Sequence, residues 1–124
     1  KLSLNSAQDF LTLSPISIVT SGTATLEAVV LGSSPIICYK TNKLNYAILS
    51  RLISTPFVGL PNLLLQKPIF PELIQDDLTP DSIVNSYSKI FSMPEQYQSH
   101  LLEINDAMSG EGFDNAAKAI KNLL

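Results

Sequence analysis

The 124-residue sequence contains one cysteine, Cys38, and one histidine, His100. One cysteine cannot close an internal disulfide, and Cys38 lies in the apolar run "PIICYK", where a free thiol behaves as a small hydrophobe; this usage suits a reducing compartment. His100 falls in the helical tail with no partner motif beside it, so it reads as an ordinary helix residue rather than a general base. Charge is also scarce: Asp, Glu, Lys and Arg make up 15%, with eight basic residues against eleven acidic ones and a net charge of -3. With no basic run to neutralise a phosphate backbone, nucleic acid is excluded as a partner. No apolar segment approaches the roughly 18 to 20 residues that span a bilayer, and Lys1 does not open a secretion signal, so the chain reads as soluble or peripheral. Repeats and low-complexity tracts are absent. The sequence starts with Lys rather than Met, so residue 1 is not taken as the natural start.

Hydrophobic residues make up 45%, enough for one globular domain, or part of one, with a modest core. Residues 7–13 show loose helical spacing that ends before Pro15. "ISIVT" is a β-branched run bounded by turn residues and reads as a buried strand. "TATLEAVVL" favours a helix that Gly32 is placed to end, and "PIICY" reads as a second buried strand. Strand, helix and strand in this order predict a βαβ unit with parallel strands and a right-handed crossover. Further on, "KLNYAILSRLI" predicts a helix over 43–53 and "FVGL" a third strand over 57–60. The Pro-interrupted stretch after it predicts one short helix around residues 72–75. Thr79 is placed to cap a helix beginning at Pro80 and running to about Ser92. Residues 94–108 make another helix, glycines 110 and 112 break it, and residues 113–124 make the last. The expected fold class is therefore α/β, with a helical end.

The stretch "VTSGTATLEAVVLG" sits where the first strand hands over to a helix. In α/β sheets, ligands bind outside the carboxyl ends of the strands. Gly22 lets the backbone approach a ligand, the first helical N–H groups lack internal partners, and the helix dipole adds positive charge, so the turn favours a phosphate. Ser21 and Thr23 offer hydroxyl donors. Glu27, one helical turn after Thr23, shares its face; phosphate would repel its carboxylate, which therefore suits the hydroxyls of a ribose. Together these residues suit a nucleotide diphosphate. The competing reading is that Ser21 or Thr23 caps the helix and Glu27 is merely solvated.

"SGTATLEA", "PIICYK", "GLPNLL" and "PELIQDD", in this order and spacing, resemble the C-terminal part of the lipid-A-disaccharide synthase family, glycosyltransferases of the two-Rossmann-domain (GT-B) type. The resemblance is strong from about residue 18 to residue 77 and weak in the tail. It implies a partial Rossmann-like C-terminal domain over residues 1–78 and a helical segment over 79–124. It also implies an inverting transfer of 2,3-diacylglucosamine from UDP to 2,3-diacylglucosamine 1-phosphate, forming a β-1,6 disaccharide and releasing UDP. Carried over by motif, Ser21, Gly22 and Thr23 meet the diphosphate and Glu27 the ribose, while Asn62, Glu72 and Gln75 line the same cleft. The bland alternative makes Asn62 a turn residue and puts Glu72 and Gln75 on a solvated short helix. Tyr39 and Lys40 end the second strand at the binding edge, where Lys40 is either a phosphate contact or a surface lysine.

The resemblance implies no cofactor and no metal. It places the acceptor site and the general base in an N-terminal domain, so this chain alone should not catalyse. The acylated substrates imply a cytoplasmic protein peripheral to the inner membrane, although no basic amphipathic helix appears here. Ile83, Tyr87, Ile90, Phe91, Leu101, Leu102 and Ile104 in the tail are apolar residues for packing against another domain or a second subunit, so a homodimer stays open. The alternatives are another UDP-sugar transferase or epimerase, a non-catalytic nucleotide-binding module, or an assembly piece.

Overall fold

The structure, a computed structural model, describes residues 6–42, 45–46 and 55–109. Helix α1 (Ala7–Leu13) ends at Ser14, whose extended backbone is what a following proline favours. Strand β1 (Ile16–Thr20), helix α2 (Thr23–Val30) and strand β2 (Ser34–Tyr39) form the expected βαβ unit. The strands are parallel, in register from Ile16 opposite Ser34 to Thr20 opposite Cys38. Gly32 ends α2 at φ +86°. Its N–H bonds to the Val29 carbonyl at 3.0 Å and that of Ser33 to Ala28 at 2.9 Å, the paired bonds of a Schellman stop.

Helix α3 (Leu60–Leu65) and strand β3 (Glu72–Ile74) follow, then a 3₁₀ turn over Gln75–Asp77. β3 pairs in parallel with β2, from Ile37 opposite Glu72 to Tyr39 opposite Ile74, giving a sheet of order β1-β2-β3. The third strand is thus not "FVGL", and residues 72–74 are not helical. Pro61 stands in the first turn of a helix that starts at Leu60, a position proline favours. Glutamate's helix preference at position 72 is overridden, because β2 gains a ladder partner and the Glu72 carboxylate is captured from the side. The helix expected over 43–53 lies outside the described residues apart from positions 45 and 46, which are helical. The one expected over 113–124 lies outside them entirely.

Helix α4 (Pro80–Ser92) has a capping box: the Ser82 N–H donates to the Thr79 hydroxyl and the Thr79 N–H to the Ser82 hydroxyl. Helix α5 (Pro94–Met108) follows after one residue. Ile36 and Ile37 are adjacent in β2 and both essentially inaccessible, so both faces of the central strand are covered, as in α/β sheets. The core joins Val29, Ile36, Ile37, Cys38, Phe70 and Leu73 with Ile90, Tyr97, Leu101 and Ile104 of α4 and α5. Among the apolar tail residues, Ile90, Leu101 and Ile104 are therefore used internally, and Ile83 packs against the same core. Tyr87, Phe91 and Leu102 stay exposed, the first two stacked with ring centroids 6.1 Å apart. No helix among the described residues is long and apolar enough to cross a membrane.

Candidate functional site

The carboxyl end of β1 leads into the turn before α2, beside the carboxyl end of β2. The Ser21 N–H donates to the Cys38 carbonyl at 2.9 Å, which carries the ladder one residue past β1. Gly22 then adopts φ +135° and ψ -162°, a backbone region almost restricted to glycine. Nothing lies within 4 Å of the place a Cβ would take there. The first turn of α2 is closed by Thr25, whose N–H and hydroxyl reach the Gly22 carbonyl at 3.1 and 2.6 Å. Neither Ser21 nor Thr23 caps the helix with its side chain. The first-turn N–H groups of Thr23 and Ala24 have no intrahelical partner.

The other sequence-derived candidates divide into two groups. Thr23 and Glu27 are exposed on one face of α2, and Gln8 Nε2 of α1 donates to Glu27 Oε1 at 3.0 Å. The Ser21 hydroxyl is directed inward and donates to the Val58 carbonyl at 2.8 Å. Asn62, Glu72 and Gln75 hold backbone. Glu72 accepts from the N–H groups of Val58 and Gly59 at 2.8 and 2.9 Å and from Asn62 Nδ2 at 2.9 Å. Asn62 is buried; its Nδ2 also donates to the Phe70 carbonyl at 2.8 Å, while its Oδ1 accepts from Ile69 and Phe70 N–H at 3.1 and 2.8 Å. Gln75 brackets Thr41, accepting from its N–H at 2.8 Å and donating to its carbonyl at 3.0 Å. That grip holds Gln75 at φ +54° and fixes the exit of β2, where Tyr39 is half-buried and Lys40 exposed.

A chain of hydrogen bonds therefore runs from Ser21 through Val58 and Glu72 to Asn62 and the 69–70 backbone. It ties the turn to the protein frame through the Ser21 hydroxyl. Gly59 is needed in this chain for space, since a Cβ there would collide with Ile37 Cδ1 and press on Glu72 Oε1. Sequence reading missed Gln8 and the 58–59 backbone, because partners more than ten residues away leave no local pattern; it also missed Thr25, whose bond to Gly22 is local.

Burial raises the Cys38 thiol and the Tyr97 phenol above their ordinary values, which leaves both protonated and unsuited to act as bases at neutral pH. Lys67 holds the Glu103 carboxylate below its usual value through a 2.8 Å hydrogen bond, with His100 Nδ1 at 3.5 Å on its other oxygen. This exposed cluster joins α5 to the end of α3, away from the α2 turn. Among the described residues, no group of three or more His, Cys, Asp or Glu is placed to hold a metal ion. A cavity of about 490 Å³ between Phe57, Phe70, Glu72, Lys89 and Tyr97 lies behind the hydrogen-bond chain. A second, of about 510 Å³, opens at the amino ends of the strands beside Ile16, Ser34, Phe91 and Leu102. The turn itself offers what an anion needs: unpaired N–H groups, the positive end of a helix dipole and room for close approach.

Parallel strands joined by helices, with a glycine turn at a helix start on their carboxyl edge, define a partial Rossmann-like domain of the GT-B type. A family model described as lipid-A-disaccharide synthetase matches residues 2–119. The chain is 46% identical to the lipid-A-disaccharide synthase of Cellvibrio japonicus over 90 residues, 73% of this chain and 23% of that protein. Against the enzyme of Alcanivorax borkumensis the figures are 37% over 110 residues, 86% of this chain and 29% of that protein. Against that of Dechloromonas aromatica they are 33% over 127 residues, covering all of this chain and 33% of that protein. The chain belongs to the lipid-A-disaccharide synthetase family, and it spans between about a quarter and a third of the length of these relatives.

Proposed function

We propose that this chain forms the nucleotide-binding part of a lipid-A-disaccharide synthase. The whole enzyme transfers 2,3-diacylglucosamine from UDP to 2,3-diacylglucosamine 1-phosphate, with inversion at the transferred sugar, and releases UDP. The observation that carries the reading is the open glycine turn at the start of α2 with Glu27 one turn further on. The backbone N–H groups of Thr23 and Ala24 and the Thr23 hydroxyl bind the diphosphate, and Glu27 accepts hydrogen bonds from the ribose diol, about 6 Å along the helix. Gly22 contributes the space and the chain reversal. Asn62, Glu72 and Gln75 serve the site by holding residues 58–59 and 41, and Ser21 ties the turn to that frame.

The leaving UDP gains negative charge as the glycosidic bond breaks, and the fixed dipoles of the turn stabilise that charge without reorganising. The acceptor hydroxyl must lose a proton, and no group in this turn is placed to take it. That base and the acceptor pocket belong to the N-terminal domain, so the 124-residue chain has no synthase activity by itself. Acylated substrates put the reaction at the cytoplasmic face of the inner membrane, with the protein peripheral to it.

Titration with UDP, followed through amide NMR shifts of residues 21–27, tests the reading. Saturable shifts there support it, and their absence in a folded full-length protein overturns it. Replacing Glu27 by Ala in that protein should weaken use of the UDP-sugar by about two- to tenfold, the range for one or two hydrogen bonds, with an unchanged melting temperature.

A further inference from the structure

Gln8 is joined to the site by the structure alone. It stands in the first turn of α1, which packs beside α2, and its Nε2 donates to Glu27 Oε1 at 3.0 Å across nineteen residues of sequence. A carboxylate only accepts, so the amide must turn its NH₂ toward Glu27, which fixes the orientation of both groups. Both side chains are exposed, so the contact adds little to folding. Its effect is on the carboxylate: an unpaired glutamate on a helix surface samples several rotamers, and the bond to Gln8 restricts that sampling. Among the described residues, Glu27 Oε2 has no partner and stays available for hydroxyl donors.

We infer that Gln8 is a positioning residue that preorganises the Glu27 carboxylate to recognise the vicinal diol of a bound nucleotide's ribose. The inference rests on the nucleotide reading of the α2 turn and deepens it. Binding a diol with a free carboxylate requires ordering the side chain at the moment of binding. Held by Gln8, that ordering is already complete in the empty site. The consequence is specific to hydroxyl recognition, because phosphate and base contacts do not pass through Glu27. A substitution at Gln8 should therefore change the preference for ribose over a deoxygenated sugar more than it changes nucleotide affinity as a whole.

The test is calorimetric titration of the full-length protein with UDP and with 2′,3′-dideoxy-UDP, comparing wild type, Gln8→Leu and Gln8→Glu. In the wild type UDP should bind more tightly than the dideoxy analogue. Gln8→Leu, which keeps a helix-compatible side chain and removes the donor, should shrink that ratio by about two- to tenfold while leaving dideoxy-UDP affinity and melting temperature in place. Gln8→Glu should shrink it further, because a second carboxylate pushes Glu27 out of position. Equal ratios in all three proteins overturn the role of Gln8 and leave the nucleotide site standing. Failure of the wild type to bind UDP overturns both. An equal loss for the two ligands in Gln8→Leu means that Gln8 acts on the turn rather than on diol recognition, and also overturns the inference.

Discussion

Asn62→Asp gives the sharpest test of the frame tied to the α2 turn. The substitution keeps the shape and leaves an oxygen where Oδ1 accepts from Ile69 and Phe70, but it replaces the NH₂ that serves the Phe70 carbonyl and Glu72 Oε1 at 2.8 and 2.9 Å. The new carboxyl group faces the half-buried Glu72 carboxylate and the Phe70 carbonyl with no donor of its own, so it must carry a proton to fold. Starting from an aspartate near pH 3.9, that uptake costs about 4 kcal/mol at pH 7 and shrinks by about 1.4 kcal/mol for each unit the pH falls. The shared proton can bridge the two carboxylates, yet the Phe70 carbonyl remains without its donor, which adds about 1 to 3 kcal/mol at every pH. The variant folds with a proton that its unfolded chain lacks near neutrality, so its deficit is greatest near pH 7 and smaller toward pH 5. Urea denaturation of both proteins, followed by circular dichroism at pH 7, 6 and 5, measures the deficit and its slope. A variant within about 0.5 kcal/mol of wild type at pH 7, the scatter of an ordinary surface change, would refute the role given to Asn62.

Other positions make independent tests. Gly59→Ala should lower stability by about 1 to 3 kcal/mol through overpacking on Ile37, read as a shift in the denaturation midpoint without a change in slope. Gly22→Ala, which meets no neighbour but requires φ +135°, should cost a similar ~1 to 3 kcal/mol through backbone strain and also weaken UDP binding in titration. The Cys38 thiol, buried and raised, should react with iodoacetamide in the folded protein far more slowly than in urea, as mass spectrometry can follow. Glu103 has a lowered folded value, so the stability it gains from Lys67 is present above its ordinary value of 4.5 and is lost as the pH falls through the lowered one. Wild type and Lys67→Met should accordingly differ near pH 7 and converge toward pH 3 in thermal unfolding.

The first half of the fold was legible because its signals are local and agree. Pro15 stops α1, a β-branched run makes β1, Gly32 stops α2, and a second apolar run makes β2. The Thr79 cap and Pro80 set the start of α4 to the residue. The third strand was misplaced because "FVGL" and "ELI" are both short, and length is what separates a strand from a buried turn. What decided between them is β2, whose Ile37, Cys38 and Tyr39 take Glu72, Leu73 and Ile74 as partners. That choice is tertiary, and the carboxylate of Glu72 reinforces it by drawing residues 58 and 59 into a loop over the strand end.

The same distance in sequence explains what could be read of the site. Ser21 to Glu27 form one continuous stretch, so the turn, the free N–H groups and the carboxylate one turn on are all visible as spacing. Asn62, Glu72 and Gln75 carry polar side chains suited to a ligand, and sequence alone does not tell a ligand contact from a backbone clamp. For Asn62 alone burial bears on the difference, because its buried amide already makes four hydrogen bonds to protein; Glu72 and Gln75 are half-buried. The result is a division of labour within one set of motifs. Residues on α2 present N–H groups and a carboxylate outward, while residues of α3 and β3 spend their polar atoms inward to keep that surface fixed. A change in the second group should therefore reach the ligand only by moving the loop at 58–59, and its effect on binding should follow its effect on stability. A change at Glu27 or Gln8 should separate the two.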